Sequence, residues 1–229
     1  MKKILLFFTM IAFATAISAQ NVQLHYDFGK DRKFVTTTVE MFKPDKMGNT
    51  FFFIDFDYGI PGHDFMSNAY FEIARVMTIK KSPIGIHGEY NGGFGKIANV
   101  NGFYSVNNAW LGGIDYSVNA KDFSKGFSLK VLYKEIQKKQ HSFQLTGVWY
   151  VNFAKGKMAF TGFADFWKED SDFNFDSKTD AEFTFLSEPQ LWYNICSHFA
   201  VGGEVELSYN FAGMEGFNTM PTLGAKWTF

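Results

Sequence analysis

Glu204-Val205-Glu206-Leu207-Ser208-Tyr209-Asn210-Phe211 changes character at every step, with acids, Ser and Asn at the even numbers and Val, Leu, Tyr and Phe at the odd ones. Successive side chains of an extended strand point to opposite faces, so this octet has one polar face and one apolar face. Toward the C-terminus, Leu223, Ala225, Trp227 and Phe229 alternate with Thr222, Gly224, Lys226 and Thr228. Toward the N-terminus the same period recurs through residues 183–193, 158–166, 143–151, 127–133, 110–118, 84–90, 71–73, 52–58, 35–41 and 22–28, twelve segments in all. Helical periodicity is almost absent. A soluble sandwich buries its apolar face and wets the polar one. Here the apolar faces are too aromatic and too continuous for one core of this length, with 29 Phe in 229 residues. A transmembrane barrel inverts the arrangement and sets apolar residues toward lipid and polar ones toward the lumen. The pattern therefore predicts an all-β chain, a 12-stranded antiparallel transmembrane β-barrel in one domain.

Composition narrows the function classes. Lys plus Arg is 22 and Asp plus Glu is 23, a net charge of −1, which supplies no basic surface for nucleic acid. One Cys excludes an intramolecular disulfide framework and a Cys-based zinc site. Lys2-Lys3, the apolar run 4–17 and Ser18-Ala19 read as a secretory signal peptide over residues 1–19, with cleavage after Ala19 or Ser18. The barrel then occupies residues 20–229. Beyond the first twenty residues no apolar run approaches the length of a helical membrane span. Connections around 82–83, 155–156 and 196–198 are tight, while 59–68, 92–107 and 169–180 are longer and rich in Gly or Asp. Short periplasmic turns and longer extracellular loops are the expected assignment.

Strand parity places Asp27, Glu40, Asp55, Asp57, Glu72, Glu89, Asp115, Asp165, Glu188, Glu204 and Glu206 inside the barrel, against Lys130, Lys134 and Lys226. An acidic lumen favours cations and neutral polar solutes over anions. Arg75 falls on the lipid-facing parity of its strand. Either a bulge turns it inward or it lies near the interface, and the lumen-lining position through a bulge is the expectation. Phe51, Phe53, Tyr150, Phe163, Trp167 and Trp192 share the inward parity, a flat surface beside carboxylates that suits a nucleobase or sugar. His25 with Asp27 and His87 with Glu89 have metal-ligand spacing, but lack a third ligand, so no metal or other cofactor is expected. A Ser nucleophile and a His base on one strand need even spacing. Ser142 adjoins His141 and Ser197 adjoins His198, so a lipid-modifying enzyme is disfavoured and the chain reads as a non-enzyme.

The C-terminal run 223–229, ending on Phe229, resembles the signal read by the outer-membrane barrel assembly machinery. Val39-Glu40-Met41-Phe42, a short Lys/Asp turn, Phe51-Phe52-Phe53-Ile54-Asp55-Phe56-Asp57, a Gly-Pro loop and Phe71-Glu72-Ile73 resemble the Tsx-like nucleoside channels. The likeness covers about a fifth of the chain and is nearer to a Bacteroidota branch of that superfamily. It implies a twelve-stranded outer-membrane barrel with a narrow, aromatic-lined pore passing nucleosides. The expected function is passive diffusion of small polar solutes through the outer membrane, in contact with its lipids. An anchor, or a barrel that binds a partner through its loops, is the alternative.

Overall fold

A computed structural model describes residues 21–30, 32–59, 65–80, 82–97, 102–173 and 180–229. The signal peptide expected over residues 1–19 lies outside the described residues, as do the centres of the connections 59–65, 97–102 and 172–179. The alternating segments become strands β1 (Asn21–Asp27), β2 (Val35–Asp45), β3 (Gly48–Tyr58), β4 (Met66–Thr78), β5 (Ile84–Lys96), β6 (Phe103–Asn119), β7 (Lys125–Ile136), β8 (Ser142–Phe153), β9 (Met158–Ser171), β10 (Asp180–Ser187), β11 (Gln190–Asn194), β12 (Phe199–Phe211) and β13 (Met214–Thr228). β10 and β11 are two lengths of one strand. Both pair with β9 and β12, and the register is continuous across Glu188-Pro189, with Ser187 opposite Ala164 and Gln190 opposite Thr161. Pro189 interrupts the ladder because it has no N–H to give.

Each strand is antiparallel to its neighbours, and β13 pairs with both β12 and β1. The sheet thus closes on itself as a twelve-stranded barrel with no free edge. Closure is what a membrane span made of strands requires, since lipid offers no partner to an open row of amides. The β12–β13 ladder is broken between Gly202/Gly224 and Val205/Pro221, where the Glu204 N–H donates instead to Thr222 Oγ1 at 3.1 Å. Val205 faces Pro221 on one side and donates its N–H to the Pro189 carbonyl on the other.

The two faces are inverted relative to a soluble protein. Leu24, Ile114, Leu129, Val131 and Leu191 are exposed on the outside, while Gln23, His87, Asp115, Gln144 and Ser208 are buried within. One apolar cluster does lie inside: Ala109 and Leu111 of β6 pack with Leu132 and Ile136 of β7. Connections 28–34, 59–65, 97–102 and 172–179 share one end of the barrel; at the other end none exceeds five residues. The sequence-based loop 92–107 is shorter than expected, because β5 continues to Lys96 and β6 begins at Phe103. Gly93 suits its place in β5 because a side chain there would meet the Ala69 backbone of β4.

Arg75 corrects one expectation. No bulge occurs at its position: Thr50 and Gly88 oppose it in regular register, and its neighbours on that face are Ile73 and Met77. The side chain is outward, near the short-turn end, and its guanidinium grips Asp45 through two hydrogen bonds of 2.6 and 2.9 Å. A charge at the end of a strand, already neutralised, avoids the cost that made a bulge attractive.

Candidate functional site

The interior is built from the polar faces of neighbouring strands, and register decides which residues meet. Glu40, Phe53, Glu72 and Asn91 are opposite one another in turn across β2, β3, β4 and β5. Adjacent strands lie ~4.8 Å apart, so these four form one continuous wall. Its acids are oriented by neutral donors. Asn21 Nδ2 donates to Glu40 at 2.9 Å, the Thr38 hydroxyl to Asp55 at 2.5 Å and the Tyr70 hydroxyl to Glu72 at 2.7 Å. Asp57 receives the Thr36 hydroxyl at 2.6 Å and Asn68 Nδ2 at 3.1 Å. Phe53 sits between Phe51 and Tyr70, each ring centroid 6.0 Å away.

Along β5, Glu89 is held by His87 Nε2 at 2.9 Å and Asn91 Nδ2 at 3.1 Å. Asp115 bonds Ser117 and Ser128 and is opposite Lys130 in register. Lys134 donates to Gln144 at 2.7 Å and lies over the Trp167 ring at 4.1 Å. Gln190 Nε2 donates to Glu204 at 2.8 Å, and Lys226 covers the Trp192 ring at 4.2 Å.

The acids form a belt. Glu188, at the Pro189 interruption, lies within electrostatic reach of Glu204, Asp55, Glu206 and Glu72. Glu72 in turn reaches Glu89 and Asp165, and Asp165 reaches Lys130 and Lys134. Six strands thus contribute Asp55, Glu72, Glu89, Asp165, Glu188 and Glu204, with the two lysines on one side only. The belt can attract cations into the lumen and repel anions. Asp27 and Glu206 stand nearer the long-loop end, and both pair with Arg32. Tyr150 points inward near the short-turn end and donates to Asn119 at 2.9 Å. Phe163 is half-buried on β9, its carbonyl accepting the Glu188 N–H and the Ser187 hydroxyl.

Several readings of single residues change. Trp167 and Trp192 are inward but buried, each with a lysine on one ring face, so neither offers a free stacking surface. His25 bonds Gln23 and Thr222 rather than Asp27. Among the described residues no group of three His, Cys, Asp or Glu is arranged to hold a metal ion. Ser142 bonds the Lys168 carbonyl while His141 bonds the Tyr133 hydroxyl, so the two do not form a nucleophile–base pair. Arg32 and Tyr70 were missed by strand parity, the first because it lies in a connection. For Tyr70 a signal existed: it is two residues from Glu72 and shares its face.

Comparison with known proteins places this geometry. No curated protein matches the chain. Among solved structures it resembles a NanC porin, with TM-score 0.60 and 9% identity, over 92% of this chain and 100% of that one. It also resembles a KdgM porin, with TM-score 0.51 and 11% identity, over 92% of this chain and 99% of that one. At such identities the likeness is one of fold. Residues 19–229 match the family described as "Domain of unknown function (DUF5020)", and the chain belongs to that family.

Proposed function

We propose that this barrel is an outer-membrane channel for passive diffusion of small polar solutes, with a preference for cations. The carboxylate belt inside a closed barrel carries this reading; the porin fold of the two solved neighbours supports it. Residues 1–19 then act as a signal peptide that directs the chain to the periplasm, and the short-turn end faces that compartment. Asp27, Glu40, Asp55, Asp57, Glu72, Glu89, Asp115, Lys130, Asp165, Glu188, Glu204 and Glu206 are the polar lining, with Phe53, Tyr150 and Phe163 as its aromatic part. Arg75 is not in the set.

Nucleosides are the narrower candidate. The wall of Glu40, Phe53, Asp55 and Glu72 puts an aromatic ring among oriented carboxylates, where a base can stack and hydroxyls or an exocyclic amine can donate. Stacking is worth ~1–3 kcal/mol per base, enough for weak binding that a channel can release. Phe53→Ala is expected to reduce nucleoside block of the ion current in planar bilayers while conductance persists. A wider pore with unchanged block would make Phe53 a filler only. Identical wild-type currents with and without nucleosides would leave a general channel, and no current at all would leave an anchor.

Insertion is the other test of the membrane reading. Trp227 is half-exposed on the outer face, stacked on His198 at 5.8 Å, and Phe229 is similarly exposed beyond it. Deleting Phe229 is expected to lower the amount of heat-modifiable protein in the outer membrane. Normal levels of the truncated barrel would refute recognition of this end by the assembly machinery.

A further inference from the structure

The connection between β1 and β2 sends a guanidinium into the barrel. Arg32 reaches Asp27 of β1 at 3.1 Å and Glu206 of β12 at 2.9 Å, and both acids are buried. Each carboxylate also has a donor other than Arg32. Asp27 accepts the Gly29 N–H at 2.6 Å, and Glu206 accepts the Ser208 hydroxyl at 2.9 Å. Asp57, fixed by Thr36 and Asn68, adds a third negative charge within reach of Arg32. Two oriented acceptors on different strands, each taking a separate guanidinium nitrogen, match a planar fork rather than a point charge.

We infer that Asp27 and Glu206 form a recognition site for the guanidinium or amidinium group of cationic solutes, and that Arg32 is its tethered occupant. The inference rests on the channel reading and names a solute class for it. A solute that displaces Arg32 takes over both carboxylates and stands at the entrance to the belt of Asp55, Glu72, Glu188 and Glu204. Arg32 then sets selectivity by competition: it lowers apparent affinity by the fraction of time it occupies the seat. Small inorganic cations gain less from the site, because they cannot bridge both acceptors as a fork does.

The test uses the full chain in planar bilayers carrying a potassium current, with methylguanidinium as probe and neutral, similarly shaped methylurea as control. In the wild type, methylguanidinium blocks the current and methylurea does not. Arg32→Gln is expected to lower the half-blocking concentration by about tenfold or more, since the competitor is gone. Adding Asp27→Asn and Glu206→Gln to that variant removes the block, read as a fraction of that variant's own current. A conducting Arg32→Gln protein with unchanged half-block, or a triple variant still blocked as strongly, overturns the inference. If the variants do not fold, the wild type alone decides: equal block by both probes overturns it. Current without any guanidinium preference sinks this inference only, whereas no current from correctly folded wild-type barrels sinks the channel reading with it.

Discussion

Replacing Glu72 and Glu188 together by Gln should move the reversal potential of the channel, measured across a potassium chloride gradient near 0.1 M, toward zero from a cation-selective value. Both residues belong to the belt that also includes Asp55, Glu89, Asp165 and Glu204. At an effective dielectric constant of ~20, one carboxylate acts on a cation ~7 Å away with roughly 2 kcal/mol. Several such charges at one level raise the local cation population by well over tenfold, and two removals forfeit a large part of it. Gln keeps the volume and the hydrogen-bonding capacity, so the lumen does not collapse. Raising salt from ~0.1 M to ~1 M shortens the screening length from ~10 Å to ~3 Å and should erase most of the difference. Glu135→Gln is the control, because Glu135 is on the outer face of β7 beside His141. An unchanged potential in the double variant would remove the belt from the conduction path. Anion selectivity in the wild type would overturn the assignment of the lumen altogether.

Val131→Arg should destabilise the barrel in lipid vesicles by ~2–4 kcal/mol, whereas Met77→Arg should cost ~0–1 kcal/mol. Val131 is midway along the outer face of β7 and is 55% exposed, so its side chain has hydrocarbon as its surroundings in a bilayer. Met77 is outward too, but it lies near the short-turn end of β4 beside Arg75. Arg75 itself shows that this level tolerates a guanidinium, given the Asp45 carboxylate. The measurement is urea-dependent unfolding from vesicles, followed by tryptophan fluorescence and by the heat-modifiable shift on gels. Equal losses at both positions would mean that depth plays no part. No loss at Val131 would mean that the outer face does not meet lipid.

Most of the architecture was legible because one physical rule, alternation of faces in a strand, acts over nearly the whole chain. Even the interruption at Pro189 preserved parity: Glu188 and Gln190 share a face on either side of it, so the run 183–193 read as one strand. Parity fails where a residue is in no strand. Arg32 belongs to a connection, and only the fold brings it back to Asp27 and Glu206, the latter far away in sequence. Parity also says nothing of depth. Arg75 had the outward parity all along, and a bulge was expected only because its distance from the barrel centre could not be read from the pattern. Nor does facing reveal occupancy, so Trp167 and Trp192 read as open rings although Lys134 and Lys226 cover them. The apolar contact of Leu111 with Leu132 inside a polar lumen arises from register across β6 and β7, a long-range property with no local signature.

Val205 stands between two prolines, Pro189 on one neighbouring strand and Pro221 on the other. Neither imino nitrogen has a proton to donate, and the Glu204 amide takes a side-chain hydroxyl in place of a backbone carbonyl. This panel of the wall is therefore stitched more loosely than the unbroken ladders of β6 with β7 and β7 with β8. Amides at residues 203–205 should exchange with solvent deuterium sooner than those at 129–133, because local opening there breaks fewer bonds. The same panel bears Glu188, Glu204 and Glu206. The most compliant part of the barrel thus carries three of its eleven inward acids, so part of the charge that lines the passage is mounted where the wall has most elastic give.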